Sequence, residues 1–273
     1  MTSVEPSKLC WVASYPKSGN TCLRFMIAGP FRGAGITSAD IDTLIPDTHE
    51  MARKGSFNLT EALGSEFFVK THWMFAQSNS AFSRENGCIY VLRNPMDVLA
   101  SHLNFTQFPN PELRPGFIEN FIEKGGSPLW FAHGIGSWFE NAMSWINGPT
   151  RCLVLIYEAL LRDPVSETVR LANFLNVEIS LGQVEELVRQ FQFDELRKQE
   201  SMERSSAEEG LFVNYSASRD GETFFMNRGK ENYFREVIPE SSVEKGLQAF
   251  KAPMAQIEEM LGGKIESWSF LSD

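Results

Sequence analysis

The segment Ser14-Tyr15-Pro16-Lys17-Ser18-Gly19-Asn20-Thr21 lies between the apolar run 9–13 and a helix-like run over 22–28. An apolar run that ends in a Pro/Gly turn and opens into a helical pattern predicts a strand, a loop and a helix. Such a loop offers backbone N–H groups, hydroxyls and a lysine to an anion, and the helix N-terminus points at it. It is not a Walker A loop, because the lysine precedes the only glycine. We therefore expect a phosphate-binding loop here.

Four short apolar runs, at residues 9–13, 67–71, 88–92 and 152–157, predict buried parallel strands. Helical patterns lie between and after them. Three begin near Pro95, Pro164 and Ser180, and the last spans about 241–261 and stops at Gly262. This alternation predicts an α/β fold with a central parallel sheet flanked by helices on both faces. We expect the charged segment 197–209 to be a solvated helix end and loop.

The composition bounds the classes of protein to which the chain can belong. Its 273 residues contain nothing resembling a linker, which predicts a single domain over 1–273. A net charge of −10 argues against a general nucleic-acid binder, since that function needs a basic face. The four cysteines form no metal-type pair at close spacing and are expected to be buried thiols. Residues 1–6 contain no basic or apolar signal region, so we expect a cytoplasmic protein with no membrane partner.

Two further segments place polar side chains at the ends of predicted strands. Lys70 and His72 follow the second strand, and a spacing of two puts both side chains on one face. Arg93 ends the third strand, and Ser101 lies two turns into the next helix. Ligands of open α/β sheets bind at the carboxyl ends of the strands. Arginine suits phosphate, to which it donates two hydrogen bonds at once.

The region 104–148 is unusually aromatic. We expect most of these rings to pack in the core and some to line an acceptor pocket for a ring-bearing or apolar substrate. The aromatic residues are Phe105, Phe108, Phe117, Phe121, Trp130, Phe131, Trp138, Phe139 and Trp145.

Taken in order, these segments resemble those of sulfotransferases that use 3′-phosphoadenosine 5′-phosphosulfate (PAPS). The first resembles the family's 5′-phosphosulfate loop, the second its Lys-Thr-His element and the third its 3′-phosphate site. A fourth segment, Phe225-Met226-Asn227-Arg228-Gly229-Lys230, resembles the family's closing segment over the 3′-phosphate. The resemblance runs over about 9–237 and implies a P-loop-kinase-like three-layer fold. It implies a donor-binding core at about 9–101 and 151–237, and an acceptor-side insertion at about 104–148.

The resemblance also implies roles for single residues. His72 is expected to be the general base, Lys17 to stabilise charge on the leaving oxygen, and Lys70 to contact the sulfuryl oxygens. Tyr157 and Phe193 are expected to contact the adenine. The resemblance implies PAPS as donor cosubstrate and no metal. The remaining donor-binding residues that it implies are Lys17, Ser18, Gly19, Asn20, Thr21, Cys22, Arg93, Ser101, Asn227, Arg228 and Gly229.

The chain also departs from the family pattern. Asn20 replaces a threonine and is expected to hydrogen-bond phosphate in its place. Cys22 replaces a tryptophan that packs on adenine, and Phe191 replaces a threonine. In the closing segment, Asn227 and Arg228 stand where the family has arginine and lysine. We therefore expect the 3′-phosphate to be held mainly by Arg93, Ser101 and Arg228.

The sequence thus predicts a sulfotransferase that moves a sulfuryl group from PAPS to a hydroxyl of a small-molecule acceptor. A small-molecule kinase is an alternative, because the fold is shared and the loop binds phosphates. A non-catalytic nucleotide-binding protein is another, because the stacking and closing residues are altered. The sequence leaves the identity of the acceptor and the oligomeric state open.

Overall fold

A four-stranded parallel sheet forms the centre of the molecule. The computed structural model describes residues 9–33, 35–53, 68–76, 82–106, 111–206, 209–217, 224–226 and 228–271. The strands are β1 (Cys10–Ser14), β2 (Phe68–Thr71), β3 (Gly87–Leu92) and β4 (Arg151–Ile156), in the order β2-β1-β3-β4. All three pairings are parallel. The four predicted strands are therefore confirmed.

Helices cover both faces of this sheet, because the strands are apolar on both faces. Trp11 and Tyr90 point into one core, and Val12 and Ile89 point into the other, as the two-residue period of a strand requires. The predicted α/β fold with a central parallel sheet flanked by helices is confirmed. Among the described residues, no helix is long and apolar enough to cross a membrane.

The first half of the chain contributes seven helices to these layers among the described residues. They are α1 (Asn20–Arg32), α2 (Ser38–Leu44), α3 (Thr48–Arg53), α4 (Pro95–Thr106), α5 (Leu113–Lys124), α6 (Pro128–Ala132) and α7 (Trp138–Asn147).

Seven more α-helices and a final turn follow β4 in the described part of the chain. They are α8 (Tyr157–Arg162), α9 (Pro164–Leu175), α10 (Leu181–Phe191), α11 (Phe193–Ser206), α12 (Leu211–Ala217), α13 (Phe234–Val237) and α14 (Glu240–Met260), and then a 3₁₀-helix (Glu266–Leu271).

The helix starts predicted from the sequence are confirmed. Pro95 and Pro164 are the first residues of α4 and α9, and Ser180 caps α10 by accepting a hydrogen bond from the Gln183 amide. Proline suits a first helical position, where its missing N–H would have had no helical partner. The last helix starts one residue earlier than expected, at Glu240.

The expectation of a solvated segment at 197–209 is wrong for two of its glutamates. Glu200 and Glu203 are buried on α11. Glu200 accepts hydrogen bonds from the amides of Phe225 and Met226, and Glu203 accepts from Ser38. A charge pattern does not reveal such contacts, because the donors come from distant segments.

Most of the aromatic region packs in the core, as expected. Phe121, Trp138 and Trp145 are fully buried, whereas Phe131 is exposed. Phe108 lies outside the described residues. The four cysteines are free; Cys10 and Cys88 are buried, and the other two are half-buried.

The strand order fixes where a ligand can bind. The chain passes from β1 to β2 on one side and then to β3 on the other side of β1. The crossovers therefore diverge at the carboxyl end of β1, and a crevice opens at such a switch point. The loop 15–19 leaves β1 there, and His72, Arg93 and Tyr157 follow the other three strands.

Candidate active site

Two residues of the loop between β1 and α1 have left-handed backbone conformations. Lys17 has a φ of 69°, a left-handed conformation that residues other than glycine rarely adopt, and Gly19 has a φ of 98°. A Cβ at Gly19 would lie 2.3 Å from the Tyr157 ring, so only glycine is tolerated there. The Ser18 hydroxyl oxygen is buried and has no hydrogen-bond partner in the part of the chain that the structure describes. A buried hydroxyl without a partner is costly, and an anion in the loop would provide one.

Asn20 is the first residue of α1, and its side-chain amide points back to β1. Its Nδ2 donates to the Val12 carbonyl at 3.3 Å and to the Ser14 hydroxyl at 3.1 Å. The side chain thus ties α1 to β1, which differs from the expected contact with phosphate. The backbone N–H groups of Asn20, Thr21 and Cys22 begin α1, where helical amides have no partner within the helix.

Arg93 joins the loop to the closing segment. Its Nη1 donates to the Lys17 carbonyl at 3.0 Å, and its Nη2 to the Lys230 carbonyl at 3.4 Å. The guanidinium lies 4.3 Å from the centre of the Tyr157 ring. Its Nε is buried, and none of the described residues forms a hydrogen bond with it. This arginine therefore has a donor left for an anion at the position expected of the 3′-phosphate.

A cavity of about 200 Å³ brings together the residues expected around adenine. Cys22, Tyr157 and Phe193 all line it. Gly229 lies directly against Phe193, since a Cβ on this glycine would be 2.2 Å from that ring. An apolar cavity with an aromatic wall suits a flat ring system. The cavity, the unpartnered Ser18 hydroxyl and Arg93 Nε together are compatible with an adenosine bisphosphate.

Helix α4 holds the residues that directly follow the closing segment. Asp97 accepts hydrogen bonds from the amides of Asn232 at 2.8 Å and Phe234 at 3.0 Å. Ser101, one turn later on α4, is half-buried. Arg228 is exposed and lies 5.9 Å from the centre of the Tyr233 ring. Asn227 lies outside the described residues.

His72 lies beside the loop in one tautomer. Its Nδ1 is 2.7 Å from the Ser14 carbonyl oxygen, which can only accept a hydrogen bond. Nδ1 therefore carries the proton and Nε2 carries the lone pair. Burial, the Lys70 ammonium and His49 hold the pKa of His72 well below its usual range. The ring is thus a neutral base with Nε2 available.

Lys70 is placed differently from the expected contact with sulfuryl oxygens. Its Nζ is buried and forms an ion pair with Asp47 Oδ2 at 2.7 Å. Burial by itself would raise the pKa of Asp47, but the Lys70 ammonium and His72 outweigh it and hold the pKa well below its usual range. Burial lowers the pKa of Lys70, and the Asp47 carboxylate opposes this effect. Lys17 instead directs its Nζ over the rings of Phe105 and Phe225, at 4.0 and 5.2 Å.

Sequence reasoning missed the side chains that support this site. Glu158 Oε1 accepts from the Asn94 amide at 2.8 Å and so holds the turn after Arg93. Burial raises the pKa of Glu158 to about 7, against the opposing effect of the Asn94 amide. Asp47 and Asp97 were missed as well. The position of Asp97 in the first turn of α4 was a signal, because acidic residues there often accept hydrogen bonds.

The chain is similar to known sulfotransferases. The family model described as a sulfotransferase domain matches residues 8–258. Sulfotransferase 1E1 of Mus musculus is 26% identical over 256 residues, which cover 89% of this chain and 82% of the relative. Sulfotransferase 4A1 of Mus musculus is 29% identical over 192 residues, covering 68% of this chain and 65% of the relative.

Two solved structures show the same fold. Mouse sulfotransferase SULT7A1 is solved in complex with PAP, the desulfated product of PAPS. Its structure has a TM-score of 0.65 at 19% identity, over 97% of this chain and 88% of its own. Retinol dehydratase in complex with androsterone and PAP has a TM-score of 0.67 at 18% identity, over 90% and 80% of the two chains. The predicted P-loop-kinase-like three-layer architecture is the fold of these proteins.

Proposed function

Because the chain belongs to the sulfotransferase domain family and is a transferase that takes its sulfuryl group from PAPS, we propose that a small-molecule hydroxyl is the acceptor. His72 is the general base of this reaction. The observation that carries this proposal is the hydrogen bond from His72 Nδ1 to the Ser14 carbonyl, because it leaves Nε2 unprotonated beside the phosphate loop. Membership of this family argues against the two alternatives, a small-molecule kinase and a non-catalytic nucleotide-binding protein.

The donor would lie along the edge formed by the carboxyl ends of β1, β3 and β4. Its 5′-phosphosulfate would take the first amides of α1 and the Ser18 hydroxyl, which has no hydrogen-bond partner among the described residues. Its 3′-phosphate would lie against Arg93 Nε, with Ser101 and Arg228 near the closing segment. Its adenine would enter the cavity walled by Tyr157 and Phe193.

The residues divide the chemical work. His72 Nε2 takes the proton of the acceptor hydroxyl as that oxygen forms a bond to sulfur. The bond between sulfur and the phosphate oxygen breaks, and PAP leaves with the electron pair. Lys17 stabilises the charge on the departing oxygen by leaving its two aromatic neighbours. Lys70, held by Asp47, contributes positive potential beside the sulfuryl group.

An apolar or aromatic alcohol is the acceptor class that we propose. Trp130, Trp138 and Trp145 of the aromatic region pack in the same core as Tyr15. Trp73, which follows His72 directly, packs against this core. Retinol dehydratase, which shares the fold, is solved with androsterone, an apolar molecule. We also propose that the protein works in the cytoplasm, which its four free thiols support.

Replacement of His72 by alanine tests the proposal. Wild-type protein with sulfur-labelled PAPS is assayed against a panel of phenols and apolar alcohols, and labelled product is quantified. His72→Ala is expected to lower turnover by ~10²–10⁴-fold, because a general base contributes about that much. Its affinity for PAP, measured by calorimetry, should stay unchanged. His133→Gln, which alters an exposed histidine, is the matched control. Full turnover by His72→Ala would contradict the base assignment.

A further inference from the structure

A three-residue segment at the start of α3 pairs residue by residue with the segment that carries the base. Residues 47–49 contact residues 70–72 in register, through one ion pair, one hydroxyl contact and one hydrogen bond to a main-chain amide. The pairs are Asp47 with Lys70 at 2.7 Å, Thr48 Oγ1 with Thr71 Oγ1 at 3.1 Å, and His49 Nε2 with the His72 amide at 3.2 Å.

The geometry of an edge strand explains this register. In β2, which lies at the edge of the sheet, the amides of residues 70 and 72 point away from β1. The Lys70 amide donates to the Pro46 carbonyl at 2.8 Å, as in a short parallel ladder. At the next outward amide, that of His72, the facing backbone has already turned into α3. The imidazole of His49 therefore takes the place of a backbone carbonyl.

This contact fixes the state of the His49 ring. A backbone N–H can only donate, so Nε2 of His49 must carry a lone pair and the proton must lie on Nδ1. Burial and the nearby Lys70 ammonium lower the pKa of His49 to about 4, so the ring stays neutral at neutral pH. Its centre lies 5.5 Å from that of the His72 ring.

We propose that His49 is a positioning residue, whose Nε2 holds the backbone of His72 so that the His72 ring donates from Nδ1 to Ser14 and keeps Nε2 unprotonated for the acceptor. The inference rests on the proposed role of His72 as general base. His49 is not among the residues that the resemblance implies, and its proposed role requires no contact with donor or acceptor. Asp47 and Thr48 hold Lys70 and Thr71 in the same way, and we call residues 47–49 the clamp.

Histidine nitrogen spectra test the tautomer directly, without any sulfuryl transfer. The chain has four histidines, so each signal in protein labelled with ¹⁵N-histidine can be assigned by single substitution. Wild-type protein should show His72 protonated at Nδ1 alone. His49→Phe keeps a flat ring but removes the acceptor, and should give a mixture of His72 tautomers. His49→Gln restores an acceptor and should restore the single tautomer, whereas His133→Gln should change nothing at His72.

Kinetics supply the second readout. His49→Phe should lower kcat by ~10–100-fold, because a small misplacement of a reacting group has effects of that order. The KM for PAPS and the affinity for PAP should not change, and His49→Gln should recover most of kcat. A His49→Phe protein with the wild-type tautomer and kcat would overturn the inference, as would a His49→Gln protein that behaves like His49→Phe. If His72→Ala retained turnover, the proposed base would fail, while the nitrogen spectra would still report on the clamp.

Discussion

Glu158 is the residue that links the donor site most directly to pH. Its carboxyl group is buried next to the turn that follows Arg93, and its Oε1 accepts a hydrogen bond from the Asn94 amide. Burial raises its pKa from 4.5 to about 7. The folded protein therefore keeps this proton over a range of pH in which the unfolded chain has lost it.

The contribution of Glu158 to the stability of the folded protein should therefore fall as pH rises from about 4.5 to about 7 and then level off. In Glu158→Gln this contribution is absent, because the glutamine side chain does not ionise. Its carbonyl oxygen can still accept a hydrogen bond from the Asn94 backbone amide. The free energy of unfolding of wild type relative to the variant should drop by roughly 2–3 kcal/mol across that interval. Urea unfolding at several pH values measures the difference. Glu185→Gln, at an exposed position, is the control, and an equal pH dependence in wild type and Glu158→Gln would contradict this account.

Residues at strand ends could be predicted from the sequence, whereas their supports could not. Lys17, His72 and Arg93 stood out because each follows an apolar run and has a side chain suited to anions or protons. Asp47 and Glu158 act on partners 23 and 64 residues away in the chain. No local pattern encodes such pairs, since they depend on how the crossovers bring segments together.

At the scale of elements, the closing segment is held between α4 and α11. Glu200 of α11 accepts hydrogen bonds from its amides at 225 and 226, and Asp97 of α4 accepts hydrogen bonds from the amides at 232 and 234, just beyond its end. Two buried carboxylates thus position a short segment that has little secondary structure of its own. The proposed donor site depends on this arrangement, because Gly229 of the segment packs on Phe193 in the wall of the cavity that we propose for adenine.

Gly229→Ala should weaken PAP binding about tenfold, which corresponds to ~1.4 kcal/mol. The added Cβ would lie 2.2 Å from the Phe193 ring, and the φ of 60° is unfavourable for a side chain. Gly33→Ala is the matched control, because Gly33 also has a positive φ of 81° but has open space around its Cα. Calorimetric titration with PAP should show weaker binding for Gly229→Ala only. Equal affinities in the two variants would mean that the cavity is not the adenine site.

Most elements could be predicted from the sequence because hydrophobic runs and capping residues mark them locally. The four strands and the starts of α4, α9 and α10 are examples. The segment 197–209 was misjudged because its charges suggested solvent, although Glu200 and Glu203 face buried amides. The tertiary partners of a helix decide which of its charges are buried.

At the scale of the whole molecule, an acidic chain forms a site for a polyanion. The net charge is −10, yet Lys17, Lys70 and Arg93 lie at or just after the carboxyl ends of β1, β2 and β3. The α1 N-terminus adds a positive dipole end at the same place. For binding a compact anion, the local arrangement of charges therefore matters more than the net charge. The acidic composition argues against an extended nucleic-acid-binding surface but not against a site for a compact nucleotide.

Thermal unfolding with PAP, compared with ATP plus magnesium, tests the central claim that this site binds the PAPS nucleotide. At about 100 times its dissociation constant, PAP should stabilise the folded protein by ~2.7 kcal/mol. For a domain of this size, that raises the unfolding midpoint by roughly 5–10 °C. The account predicts this shift with PAP and none with ATP plus magnesium. A shift with ATP plus magnesium alone, or with neither, would contradict it.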